Sequence, residues 1–217
     1  LKVDLHVHTC YSVDGSLSPE SIVALCQERG IGALAITDHN SIAGALALRE
    51  SAPFPVIVGQ EVSSSDGELL GLFLQERVPR DLSAGETITL IQEQGGLAGV
   101  PHPFDRLRSE RLKGEVLEEI AGELDFIEGL NGRVTIGEDN RRAQEFARRH
   151  GIPCTAGSDA HCEHELGRAY LEMTSVDGSK GQFVAQLPQA RLGGGVSPFW
   201  VHFFSIYRKV RNRMAGE

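Results

Sequence analysis

Asp4-Leu5-His6-Val7-His8-Thr9 places two histidines two residues apart near the start of the chain. On an extended segment alternate residues share a face, so both imidazoles project together while Val3, Leu5 and Val7 face the other way. Four further segments carry metal-binding residue types, each closing an apolar, strand-like run: Thr37-Asp38-His39-Asn40, Gly59-Gln60-Glu61, Pro101-His102-Pro103 and Gly157-Ser158-Asp159-Ala160-His161. Asp159 and His161 repeat the spacing of the opening pair. Imidazole and carboxylate together suit zinc, iron or manganese rather than a thiolate-bound ion. The chemistry indicated is metal-assisted hydrolysis.

A lone histidine carries little weight, and His150, His164 and His202 read as structural residues. The other five of the eight histidines recur at strand ends with a carboxylate in the same or a facing motif. Pro103 biases His102 toward an extended backbone and so fixes the direction of its side chain. Asp4 is expected to be the outer partner that fixes the tautomer of a ligating histidine. Cys10 and Cys162 lie within two residues of candidate ligands, but their sulfurs fit poorly with a nitrogen and oxygen set.

The elements that must hold these residues alternate short apolar strands with amphipathic helices. Strands are expected over 2–8, 33–37, 55–62, 69–74, 97–101, 124–130, 152–157 and 169–173, and helices over 19–29, 41–49, 86–94, 110–121 and 138–150. Ser18 followed by Pro19 is a helix start, and Gly30 and Gly151 stand where helices should stop. Such alternation predicts an α/β fold with a parallel sheet and helices outside. Ligands from at least five strand ends favour a closed barrel, whose active site forms on the C-terminal rim. A chain of 217 residues leaves room for a small or distorted barrel of about seven strands.

The composition, 41% apolar and 24% charged, is that of one domain with a substantial core. A formal charge of −9 excludes bulk attraction of a long nucleic acid, while a local basic pocket can still hold a phosphate. Four cysteines without CxxC spacing, and an N-terminal segment lacking the basic and apolar regions of a signal peptide, lead to the expectation of a cytoplasmic protein. The barrel domain is expected over 1–192. Gly193-Gly194-Gly195 reads as a flexible joint to a tail, 193–217, in which Trp200, Phe203, Phe204 and Tyr207 form one stripe of a basic helix. That helix either packs on the barrel or a second subunit, or lies in a membrane interface.

Taken in order from Asp4 to His161, these motifs closely resemble those of the polymerase-and-histidinol-phosphatase (PHP) family. The resemblance implies a distorted (β/α)7 barrel with a multinuclear metal cleft at the C-terminal strand ends, and phosphoester hydrolysis. It implies two or three divalent ions, zinc, iron or manganese. His6, His8, Glu61 and Asp159 would surround the first. Glu61 would bridge to a second, which also takes His102, and Asp14, His39 and His161 would hold a third. One departure is evident. The second metal in trinuclear members takes a further ligand, commonly histidine, from the region that here reads Glu128-Gly129-Leu130-Asn131-Gly132-Arg133. Glu128 or Asn131 would substitute, the second site would fill only with substrate, or the protein would bind two metals.

A metal-bridging hydroxide attacking a phosphate monoester in line is the expected reaction, on a small phosphorylated substrate such as a nucleotide or on the 5′ end of a short oligonucleotide. Asp38, beside His39, would assist proton transfer or merely orient its loop. Arg106, Arg133 and Arg168, each just past a motif, are the preferred phosphate clamps, and Arg108 lies close by. A metal-dependent amidohydrolase and a non-catalytic metal-binding module are the competing readings.

Overall fold

The computed structural model describes residues 1–198, 200 and 201. One nine-stranded sheet runs in the order β7-β6-β5-β4-β3-β2-β1-β8-β9. Its strands are β1 (Lys2–Val7), β2 (Ile31–Ile36), β3 (Val56–Ser64), β4 (Gly67–Leu72), β5 (Leu97–Val100), β6 (Phe126–Asn131), β7 (Cys154–Gly157), β8 (Ala169–Glu172) and β9 (Arg191–Gly194). The helices are α1 (Pro19–Arg29), α2 (Ala43–Ser51), α3 (Ala84–Glu93), α4 (Gly114–Glu119), α5 (Gly137–His150) and α6 (Lys180–Gln186). Their ends follow local chemistry. The Ser18 side chain accepts the Ser21 N–H at the start of α1, and Gly30 and Gly151 adopt left-handed φ of 67° and 69° just past α1 and α5, a conformation glycine takes without steric cost.

Strands β1, β2 and β3 are mutually parallel, as are β5, β6 and β7. Between the two sets β4 runs antiparallel to both neighbours. The expected strictly parallel alternation therefore breaks at one place, because the Ser64–Gly67 turn is too short to hold a crossover helix. The sheet then curls until its ends nearly meet. Val7 forms a parallel bridge to Ala160, the Asp159 N–H donates to His6 O at 2.7 Å, and the His8 N–H donates to Ala160 O at 2.8 Å. This is the distorted, nearly closed barrel that the motif order implied.

Two further elements were not expected. α6 was missed, and β9 occupies the supposed flexible joint. Gly193 and Gly194 pair with Tyr170 and Ala169 of β8, so a boundary at residue 193 would cut a strand. A Cβ on Gly193 would stand 2.4 Å from the Tyr170 ring; glycine is there for close packing. Among the described residues no helix is long and apolar enough to cross a membrane. The tail stripe expected at Phe203, Phe204 and Tyr207 lies outside the described residues.

The core has two clusters. One cluster buries Val3, Leu5, Ala35, Ile57, Leu70 and Phe126 of the strands with Phe183 of α6, and the other packs Ile22, Leu48, Ile88 and Phe146 of α1, α2, α3 and α5 with Leu34 of β2. Asp4 fastens the closure. Its carboxylate, fully buried, accepts N–H groups from Ser158 at 2.8 Å, Gly167 at 2.9 Å and His6 at 3.3 Å. Burial raises its pKa to about 6 against those hydrogen bonds. Asp4→Ala would leave three N–H donors, two of them fully buried, without an acceptor, at a cost of ~3 kcal/mol in unfolding free energy. Urea denaturation of the two proteins checks this, with the midpoint expected to fall and the slope to stay constant.

Candidate metal centre

Each strand-end motif turns its ligand-type side chain into one buried volume. Three of these loops hold a non-glycine residue in a left-handed conformation, Asn40 (φ 54°), His102 (φ 28°) and Asp159 (φ 55°). At His102 this replaces the extended backbone expected ahead of Pro103. Such residues persist only where the surroundings over-determine them. Asn40 shows how. Its side chain accepts the Ser63 N–H at 2.9 Å and donates to Ser63 Oγ at 3.0 Å, while its backbone N–H donates to Glu61 O. His39 is thereby set over Glu61.

Four donor atoms from three strands face one another: His6 Nε2, His8 Nε2, Glu61 Oε2 and Asp159 Oδ1. The two nitrogens are 3.0 Å apart; His6 lies 3.4 Å from Glu61 and 3.6 Å from Asp159, and His8 lies 3.2 and 3.4 Å from the same oxygens. Ligands about 2.0 Å from a tetrahedral ion are ~3.3 Å apart, so these edges fit a divalent ion. Glu61 Oε2 and Asp159 Oδ1 are buried without a hydrogen-bond partner, a costly state that a cation would relieve.

The second carboxylate oxygen of Glu61 points elsewhere, to His102 Nε2 at 3.2 Å. Asp14 Oδ2 lies 3.5 Å from His39 Nε2 and 3.4 Å from His161 Nε2, with His8 close by. All eight candidate ligands therefore line one cluster: His8, Asp14, His39 and His161 form one donor group and His6, His8 and Glu61 another, with Asp159 and His102 alongside.

A ninth residue joins them that the sequence reading missed. Glu68, buried on β4, has carboxylate oxygens 3.6 Å from His39 Nδ1 and 3.7 Å from His102 Nε2, and forms a third donor group with His39 and Glu61. Glu-Leu-Leu-Gly carries no motif signal; only the β3–β4 hairpin, which sets Glu61 against Leu70, brings residue 68 to the cluster.

Other expectations need correction. Glu128 is engaged as a support. Its Oε1 takes the His6 Nδ1–H at 3.0 Å, and Oε2 accepts the His102 backbone N–H at 2.8 Å and the Asn131 amide at 2.9 Å. Glu128, not Asp4, thus fixes the tautomer that leaves His6 Nε2 free to ligate. Asn131 also donates to Asp159 Oδ2 at 3.1 Å, and its oxygen accepts the Arg133 N–H, so neither residue is open as the missing ligand. Asp38 spends both oxygens on Thr9, at 2.6 Å from the N–H and 2.7 Å from the hydroxyl, which is loop orientation rather than proton transfer.

Two of the three preferred arginines face away. Arg106 grips Asp139 of α5 and is half exposed, and Arg168, exposed, donates to His164 O. Arg108 and Arg133 point inward. Arg108 contacts Asp159 and donates to His102 Nε2 at 2.9 Å; Arg133, buried, lies 2.8 Å from His161 Nδ1 and 3.0 Å from Glu165. An irregular loop has no period by which sequence could decide between Arg106 and Arg108. Cys10 is exposed and Cys162 half-buried, and neither joins a donor group.

Comparison with known proteins places this geometry. The model of the PHP domain matches residues 4–100, and that of the PHP-associated region matches residues 137–191. The chain belongs to the PHP family. It is 36% identical to an uncharacterised protein of Methanocaldococcus jannaschii over 82% of this chain and 72% of the relative. A phosphoribosyl 1,2-cyclic phosphate 1,2-diphosphodiesterase of Eggerthella lenta is 39% identical over 35% of this chain and 32% of its own length. A Bifidobacterium adolescentis structure described as a metal-dependent phosphoesterase has a TM-score of 0.62, 20% identity and coverage of 74% of this chain and 88% of that one. It shares the fold. PHP proteins are metal-dependent phosphoesterases, and this chain carries the corresponding cluster of histidines and carboxylates.

Burial alone would depress the His8 pKa, but the facing Asp159 and Glu61 carboxylates outweigh it and raise it from 6.5 to about 9. His161 moves the other way, to about 3, through burial and the nearby Arg133 guanidinium. A protonated imidazole cannot ligate, so a metal must displace the His8 proton below pH 9. Metal affinity is expected to rise up to about tenfold per pH unit between 6.5 and 9. Over the same window the metal-free protein loses the stability that protonated His8 contributes. Calorimetric titration in buffers of different ionisation enthalpy measures the released proton, and thermal unfolding against pH measures the second effect.

Proposed function

We propose that this PHP protein hydrolyses a phosphate ester of a small molecule, with nucleotides and sugar phosphates as the leading substrate class. The observation that carries the reading is the set of His6, His8, Glu61 and Asp159 donors, sharing one buried volume with the Arg108 and Arg133 guanidiniums. Divalent ions held there, zinc, iron or manganese, lower the pKa of water and offset charge on phosphoryl oxygens.

The chain's own residues do the rest. His6, His8, Glu61 and Asp159 would hold the first ion; Asp14, His39 and His161 would hold another. Glu61, His102 and Glu68 are the donor set for the remaining one, with Glu68 as the companion absent from the Asn131 region. Glu128 keeps His6 in the ligating tautomer. Arg133, fixed by Glu165, and Arg108 present planar donors suited to a phosphate. Two inward guanidiniums favour an anionic substrate over a neutral amide, which sets the phosphoesterase reading above the amidohydrolase one. The named activity of the Eggerthella lenta relative supports a phosphorylated sugar among the substrates. The net charge of −9 supports a small substrate over a long nucleic acid. The four free cysteines support a cytoplasmic setting.

Protein loaded separately with manganese, iron and zinc, then assayed against phosphomonoesters, cyclic phosphodiesters, dinucleotides and amides, tests the reading. Turnover of a phosphate ester is expected, and inactivity on all of them with every metal would refute it. His8→Ala and Asp159→Ala should each lower kcat by about 10³-fold or more with thermal unfolding still cooperative. Arg106→Ala, whose partner is Asp139, should leave kcat/KM within about twofold of wild type.

A further inference from the structure

Arg108 holds an atom that a second cation would need, His102 Nε2. One guanidinium nitrogen donates to His102 Nε2 at 2.9 Å, the other contacts Asp159 Oδ2, and Nε lies 3.4 Å from Asp105 Oδ2. Asp105 is itself fixed, buried and accepting the Leu107 N–H at 3.0 Å. A single nitrogen lone pair cannot serve a guanidinium N–H and a metal ion together.

The first ion's donors are untouched by this contact. Asp159 directs Oδ1 toward His6 and His8 and Oδ2 toward Arg108 and Asn131. The donors in the Asp14, His39 and His161 group make no contact with Arg108 either; the guanidinium near His161 is that of Arg133. Only the ion that needs His102 meets competition.

We propose that the Arg108 guanidinium and the second divalent ion are alternative occupants of His102 Nε2, and that the ion's arrival frees that arm of Arg108, still anchored at Asp159 and Asp105, to bind the substrate phosphate. The inference rests on the metal-dependent reading above. The physical reason for such an exchange is charge. Asp14, Glu61, Glu68 and Asp159 are all buried around this centre, and an ionised carboxylate buried without a compensating cation is costly. A tethered guanidinium supplies one before the ion binds. The same group becomes a phosphate donor once the ion has taken over His102 Nε2. Binding is then ordered, with the second metal ahead of the substrate.

Metal-free wild type, Arg108→Ala and Arg108→Gln are titrated with Mn2+ alone by calorimetry, and the manganese-loaded proteins with inorganic phosphate. Both variants should bind the weakest class of Mn2+ at least about tenfold more tightly, with tighter classes changed by less than about threefold. Phosphate should bind the loaded variants at least about fivefold more weakly. Arg106→Ala should leave both measurements unchanged. An unchanged or weakened lowest-affinity Mn2+ class, or phosphate affinity equal to wild type, overturns the exchange while leaving the metal reading standing. Wild type that binds no Mn2+, Zn2+ or Fe2+ overturns both. Circular dichroism shows that each variant is folded, and the glutamine variant retains bulk at the site if the alanine variant does not fold.

Discussion

Four carboxylates and five imidazoles cannot be packed out of water unless their charges are balanced, and that constraint organises this molecule. Asp14, Glu61, Glu68 and Asp159 are buried at the end of the barrel. Each must face an imidazole, a guanidinium or a metal ion, because an uncompensated buried charge costs several kcal/mol. The pKa directions record the balance. Despite burial, Glu61 and Asp159 are held well below the carboxylate range, Glu61 by His6 and His39 and Asp159 chiefly by Arg108 and His6. Glu68, farther from a cation and facing Glu61, is raised by burial and by that neighbour.

The barrel is shaped to meet this demand. Asp4 closes it by tying β1 to the loops after β7, and the same closure sets Asp159 against His6 and His8. Strand β4 breaks the parallel order, and in doing so carries Glu68 beside His39 and His102. Glu128 links the backbone of one ligand to the ring of another. Structural and chemical roles are thus shared among a few buried polar residues, whose hydrogen bonds gain strength from the low-dielectric surroundings.

Much of the fold was legible because it rests on local periodicity. Among the described residues, strands β1 to β8 and helices α1 to α5 fall where apolar runs and caps put them, with ends shifted by a few residues. The exceptions have physical causes. Strand β9 has little apolar signal, since Arg191-Leu192-Gly193-Gly194 offers one apolar side chain. It pairs at an edge of the sheet, where backbone hydrogen bonds and the Tyr170 ring, rather than side-chain burial, hold it. The antiparallel turn of β4 could have been suspected from Asp66-Gly67, a common hairpin signal.

For the site, the sequence by itself determined the ligand types and their places at strand ends, since family motifs are local properties of the chain, although simple alternation fails on β1, whose irregular register puts Val7 in a different core cluster from Val3 and Leu5. It also determined that the region 128–133 offers no histidine where a further ligand was expected. Only the tertiary structure decided which groups meet. It assigned Glu128 rather than Asp4 to the His6 ring, turned Arg108 inward and Arg106 toward Asp139, and brought in Glu68. Those choices depend on sheet register, loop direction and distance between residues far apart in the chain, and none of these is written in local spacing.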